Sequence, residues 1–127
     1  MLEFNGRFES PASLHHRLFA KAARKACITE ADLCRGMSHV ANGLADDLGG
    51  GVFKRRLNKN LHRGIIIAKG KRHWTYLYLF AKKDRDNITD AELDGFRELA
   101  VRFELLTDEQ ASQLLYTKDL IEICSGN

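Results

Sequence analysis

Lys54, Arg56 and Arg63 fall close together in two strand-like runs, followed by two phenols, Tyr76 and Tyr78, with one imidazole, His62, beside them. These residue types suit the cutting of RNA by its own 2′-hydroxyl. That reaction needs no metal. It needs a base near the 2′-oxygen, cations on the charge that develops at phosphorus, and an acid for the departing 5′-oxygen. Arg56 and Arg63 could hold a phosphate with paired N–H donors. Lys54 could stabilise the charged intermediate, or act as base if neighbouring cations depress its pKa. Tyr76 or Tyr78 could stack on a splayed base or serve as acid and base. His62 is the most easily titrated neighbour, and Lys59 is a further candidate for holding substrate. Each has a structural alternative: sheet aromatics for the tyrosines, a loop position for His62, and solvated turn charges for Lys59, Lys69 and Lys71.

The charge distribution supports a polyanion as the partner. Between Lys54 and Arg85 there are eleven Lys/Arg and one acidic residue, Asp84, so the segment is +10. The remaining residues carry nine basic and sixteen acidic side chains, or −7, and the overall +3 hides this polarity. A basic sheet in an otherwise acidic chain is the electrostatic footprint of nucleic-acid binding.

A chain of 127 residues suits a single domain over its whole length, with enough material for a core of its own. With 44% hydrophobic and 29% charged residues it has the composition of a soluble protein. No apolar run approaches the roughly 20 residues of a membrane span, and the first residues lack a signal-peptide pattern, which points to the cytoplasm. Cys27, Cys34 and Cys124 are odd in number and lack C-x-x-C spacing. They read as free thiols of a reducing compartment. No His/Cys set has ligand spacing, so no metal and no cofactor is expected. Gly49-Gly50-Gly51 does not open a helix and lacks the Lys-Ser/Thr of a phosphate loop, so it reads as a tight entry into a strand.

The elements that must position these residues follow from periodicity. Residues 3–8 suit a short strand. Ser10-Pro11 reads as the start of a helix over Ala12 to Cys27, with Leu14, Leu18 and Ala22 as its apolar stripe. Thr29 caps a second helix through Ala41, with Leu33, Met37 and Val40 inward. Residues 45–51 read as a loop. Three strands follow: Val52 to Leu57, His62 to Lys69, and His73 to Lys82. In the third, alternation puts Trp74, Tyr76, Tyr78 and Phe80 on one face, beside the basic residues, and Leu77 and Leu79 on the other, against helices. Thr89 and Thr107 cap two further helices, and Leu120 to Cys124 reads as a last strand. The fold class is α+β: a small, mostly antiparallel sheet, an N-terminal helical hairpin, and C-terminal helices, packed on one face.

The helical hairpin followed by GGGVFKRR, then HRGIIIA, then YLYLFAKKDRDNI resembles the RelE/ParE superfamily of bacterial toxins, in its RelE/HigB-like branch. The likeness is best over Phe19 to Ile88, and FAKK with Asn87 is its most specific part. The resemblance implies a RelE-like fold and a type II toxin–antitoxin system. It implies a ribosome-dependent endoribonuclease (an mRNA interferase) that halts translation and growth. The implied partners are mRNA on the ribosome and a cognate antitoxin, in a complex that can be of higher order. It assigns catalysis to Lys54, Arg56, Arg63 and Lys83, with Lys82 and Arg85 as neighbours on the substrate. Where relatives carry a Tyr a few residues beyond FAKK, this chain has Thr89, a helix cap. Another group must then substitute, or catalysis is weak or absent. The competing expectations are a ParE-like inhibitor of DNA gyrase, which needs no catalytic set, and a non-catalytic basic binding module on the same scaffold.

Overall fold

The computed structural model describes residues 12–70 and 73–124, beginning with strand β1 (Ala12–His16). A helix over Ala12 to Cys27 is therefore corrected; the strand over 3–8 and the Ser10-Pro11 start lie outside the described residues. Tertiary pairing overrides local propensity here. β1 lies between two other strands and pairs with both, so its backbone groups find partners on both edges. The helix, α1 (Arg17–Lys25), starts later, with His16 as its cap: His16 Nδ1 accepts from Leu18 N at 3.1 Å. Its buried stripe is Phe19, Ala20 and Ala23, while Leu18 is exposed, because Leu14 no longer sets the phase.

Helix α2 (Glu30–Ala41) follows the expected bounds, with the Thr29 hydroxyl accepting from Asp32 N at 3.1 Å. The expected loop over 45–51 is corrected in part by strand β2 (Asp46–Gly49). Gly49, Gly50 and Gly51 all have φ between +66° and +86° and turn the chain into β3 (Val52–Leu57). Glycine adopts that region at no steric cost. Strands β4 (His62–Lys69) and β5 (His73–Ala81) complete the centre. Helices α3 (Asp90–Glu104) and α4 (Asp108–Tyr116) each open with a capping box, Thr89/Glu92 and Thr107/Gln110. Strand β6 (Leu120–Ile123) ends the described chain.

The sheet order is β2-β3-β4-β5-β1-β6, antiparallel except for the parallel β1–β5 pair. The α+β class and mostly antiparallel sheet are as expected, but the layering is richer than helices on one side. One core joins Phe19, Leu33, Met37 and Val40 of α1 and α2 to Leu57, Ile66 and Tyr76. The other joins Ala100, Phe103, Ala111 and Leu115 of α3 and α4 to Val52, Ile65 and Ile67. The run Ile65-Ile66-Ile67 alternates between the two cores, which is why it is apolar throughout. Lys69, expected as a solvated turn charge, instead donates to the carbonyls of Glu104 and Leu106 at 2.8 and 2.9 Å, capping the end of α3.

The expectation of three free thiols is also corrected. Cys34 on α2 and Cys124 after β6 form a disulfide across a sequence separation of 90, and Cys27 is the exposed free thiol. The short-range spacing of Cys27 and Cys34 carried no information, because the partner arrives from the far end of the chain. Among the described residues no helix is long and apolar enough to cross a membrane.

Candidate functional site

β3 alternates as its sequence demands. Val52 packs into the α3/α4 core and Leu57 into the α1/α2 core, so Lys54 and Arg56 share the first face and Arg55 the second. Arg55 accordingly lies under α2, where its guanidinium meets His39 Nδ1 and the Leu44 carbonyl. The register then builds the site. Lys54 pairs with Ile65, which pairs with Tyr78; Arg56 pairs with Arg63, which pairs with Phe80. Lys54, Arg56, Arg63, Tyr78 and Phe80 therefore share the α3 face. α3 begins at Asp90, and at the Arg56–Arg63 end Arg56 is exposed and Arg63 half-buried.

A register shift between Ile65 and Ile66 corrects the expected alternation of β5. Ile65 faces Tyr78 but Ile66 faces Tyr76, so Leu77 is an extra residue in the strand. Trp74, Tyr76 and Leu79 consequently face α1 and α2, while Leu77, Tyr78 and Phe80 face α3 and α4. Tyr76 is thereby removed from the substrate-binding set. It is fully buried, stacks on Phe19 at 4.7 Å between centroids, and donates to the Leu33 carbonyl at 2.7 Å. Burial pushes its phenol pKa up, the Asp32 charge pushes it further, and Arg55 opposes both. A Cβ at Gly36 or Gly64 would collide with the side chains around this phenol, so both glycines make room for it.

Tyr78 is the phenol that remains, half-buried, with Phe96 at 5.9 Å. Its oxygen accepts from Arg85 Nη1 at 3.2 Å. Arg85 in turn grips Glu92 through both ends of the carboxylate, at 3.1 and 2.5 Å, and donates from Nε to the Asn87 carbonyl at 3.0 Å. Its guanidinium also lies 5.7 Å from the Phe80 ring. The hydrogen bond from Arg85, then that from Thr89 N, hold the Glu92 carboxyl down at about 2, while Glu92 and Tyr78 raise the Arg85 pKa. Asn87 Oδ1 accepts from Lys54 Nζ at 3.2 Å and from Ile88 N at 2.9 Å. The turn after β5 thus fixes Lys54 and Tyr78 from one side.

Arg63 is anchored from the other side. Its Nη1 donates to the carbonyls of Asn60 and His62 at 3.1 Å each. Asn58, Lys59 and Asn60 all have positive φ, and Asn58 N is held by Asp32 Oδ2 at 2.7 Å. Among the described residues Arg56 has no carboxylate or hydrogen-bond partner, and it is exposed. Like charges directly opposite each other on paired strands repel, so the Arg56–Arg63 register is unfavourable for the sheet itself.

Of the other expected site residues, His62 and Lys83 line a groove with Tyr78, Phe80 and Arg85 at the end of β5, away from Lys54 and Arg56. His62 pairs with Leu57 and belongs with the α1/α2 side; its Nδ1 lies 3.2 Å from Asn58 Nδ2. With Asn60, Leu61, Lys82 and Lys83 it lines a groove of about 520 Å³ at the exit of β5. Lys83 therefore joins Lys82 and His62, not the Lys54–Arg56–Arg63 row. Lys59 is exposed in the β3–β4 turn. The residues missed from sequence are Asn87 as holder of Lys54 and Glu92 as holder of Arg85. Among the described residues no group of three or more His, Cys, Asp or Glu is placed to hold a metal ion.

No curated protein and no solved structure matches the chain. One family model does, described as the RelE toxin of the RelE/RelB toxin–antitoxin system, and it matches residues 13–123. That span runs from β1 to β6 and includes the whole basic face. A parallel first strand beside an antiparallel core, a helical pair before the basic strand, and a row of cations on the sheet accompany the match, and the chain belongs to the RelE toxin family, within the RelE/ParE superfamily of type II toxin–antitoxin toxins.

Proposed function

We propose that this toxin is a ribosome-dependent endoribonuclease that cuts mRNA and so inhibits translation. The observation that carries the reading is the Arg56–Arg63 pair, directly opposed across β3 and β4 on the face that also carries Lys54, with Arg56 exposed. A phosphodiester there would receive N–H donors from both sides of its non-bridging oxygens. The 2′-oxygen attacks phosphorus as its proton leaves to a base. The P–O5′ bond then breaks, the 5′-oxygen takes up a proton, and a 2′,3′-cyclic phosphate remains. Lys54, held by Asn87, supplies positive charge to the pentacoordinate intermediate. Tyr78 is the proton-handling group in place of the phenol that Thr89 replaces. The groove formed by His62, Lys82 and Lys83 guides the RNA backbone on either side of the cut.

Membership of the family implies an antitoxin partner. An exposed basic face is suited to an acidic or amphipathic antitoxin segment, which would occlude it. Acting on ribosome-bound mRNA, the toxin would work in the cytoplasm, where the Cys34–Cys124 pair would meet reducing conditions.

The test is induced expression followed by mapping of mRNA 5′ ends. New 5′ ends within translated reading frames, absent with Arg56→Ala, support the reading. Intact mRNA with normal protein synthesis and a supercoiling defect would move the protein to the gyrase-inhibitor class.

A further inference from the structure

We infer that Glu92 is a positioning residue of this site: it holds Arg85 against the Tyr78 hydroxyl and so aims the phenolic hydrogen at the open face. The inference rests on the ribonuclease reading for its catalytic consequence and on geometry for the rest.

A carboxylate is a poor choice beside a phosphate site, because it repels the substrate. The helix cap alone does not require one. In α4 the same reciprocal cap is made by an uncharged residue: Gln110 Oε1 accepts from Thr107 N at 3.0 Å. In α3 the equivalent job is done by Glu92, whose Oε1 accepts from Thr89 N at 2.7 Å. The charge at this position therefore answers to Arg85.

The donors of Arg85 show what the charge accomplishes. Nε is taken by the Asn87 carbonyl, Nη2 by Glu92 Oε1, and Nη1 by Glu92 Oε2 together with the Tyr78 oxygen. Four contacts fix a planar group in one orientation. An Arg so neutralised is no longer a phosphate ligand, which takes Arg85 from substrate binding to support. The Tyr78 oxygen, once it accepts from Nη1, must direct its own hydrogen elsewhere. Among the described residues no acceptor takes that hydrogen, and Tyr78 shares its face with Lys54 and Arg63.

The variants are Glu92→Gln, which keeps the reciprocal cap and removes the ion pair, and Glu92→Asp, which keeps the charge with a shorter reach. The first readout needs no catalysis. In protein labelled at the tyrosine ring Cζ, the Tyr78 NMR signal is identified by its loss in Tyr78→Phe. Glu92→Gln is expected to shift that signal and leave Tyr116 in place, in a protein that remains folded. An unmoved Tyr78 signal overturns the positional claim. The second readout is cleavage on programmed ribosomes. Glu92→Gln should lower the rate at saturation about tenfold, with half-saturation changed less than about twofold. It should add little further loss in Tyr78→Phe. Glu92→Asp should recover part of the rate. Weakened binding with an intact saturated rate, or fully additive losses, overturns the catalytic claim. A wild-type protein that cuts nothing overturns the ribonuclease reading and this catalytic claim together, and the NMR result then judges the positional claim by itself.

Discussion

Arg56 and Arg63 sit directly across from each other on adjacent antiparallel strands, on the same face of the sheet. Like charges so placed destabilise a sheet by roughly 0.2–1 kcal/mol. The folded protein retains that repulsion, as functional sites often do. Replacing Arg56 by Gln is therefore expected to leave the free protein as stable, or a few tenths of a kcal/mol more stable, while activity falls. Urea denaturation of the two proteins without RNA checks this; a loss above about 1 kcal/mol would mean that Arg56 supports the fold.

Tyr76 belongs to the core, so Tyr76→Phe should spare activity and reduce stability. The lost hydrogen bond to the Leu33 carbonyl corresponds to about 0.5–1.5 kcal/mol. The pH sign follows from the raised pKa of the folded phenol. Its stabilisation is complete below the unfolded value, about 10, and is lost as pH rises above it. Denaturation between pH 8 and 11 should show a steeper alkaline decline for the wild type than for Tyr76→Phe.

Glu92 sets the opposite limb. Its folded pKa is depressed to about 2, so its contribution is present above the unfolded value, about 4.3, and is lost as pH falls toward the folded one. Glu92→Gln should flatten the acid limb of the stability profile between those values and leave the neutral region changed by a constant offset. An acid limb identical in both proteins would contradict the Arg85–Glu92 link.

The Cys34–Cys124 disulfide closes a long loop and should contribute about 2–4 kcal/mol when oxidised. Thiol titration of the native, non-reduced protein should find only Cys27 reactive. Cys124→Ser should lower the melting temperature in oxidising buffer and have little effect in reducing buffer. Three reactive thiols in the non-reduced protein would contradict the pairing.

Much of this was legible in the sequence because it is local. Three of the helices announced themselves by Thr caps at Thr29, Thr89 and Thr107, and the basic strand by alternation. What failed depends on distant partners. Residues 12–16 are a strand only because β5 and β6 flank them. One extra residue at Leu77 reverses the phase of β5, and a period-2 reading has no way to register it. That single shift separates Tyr76 from Tyr78 and decides which phenol is sealed in the core. The disulfide and the Asn87–Lys54 bond join positions far apart in the chain, and spacing carries no signal for either.

The proposed ribonuclease activity requires that Arg56 and Arg63, paired across β3 and β4, act on an RNA phosphate. The most direct measurement is single-turnover cleavage of mRNA on programmed ribosomes by Arg56→Ala, Arg63→Ala and Lys21→Ala, at matched folding stability. Lys21 is exposed on α1, in the layer on the other side of the sheet. Losing a charge donor at the reacting phosphate should lower the rate by about 10²–10³ for either arginine variant. Losing a steering lysine should change it less than about threefold, an effect that fades at high salt. Arginine variants that cut as fast as wild type, or a Lys21→Ala loss equal to theirs, would contradict the account.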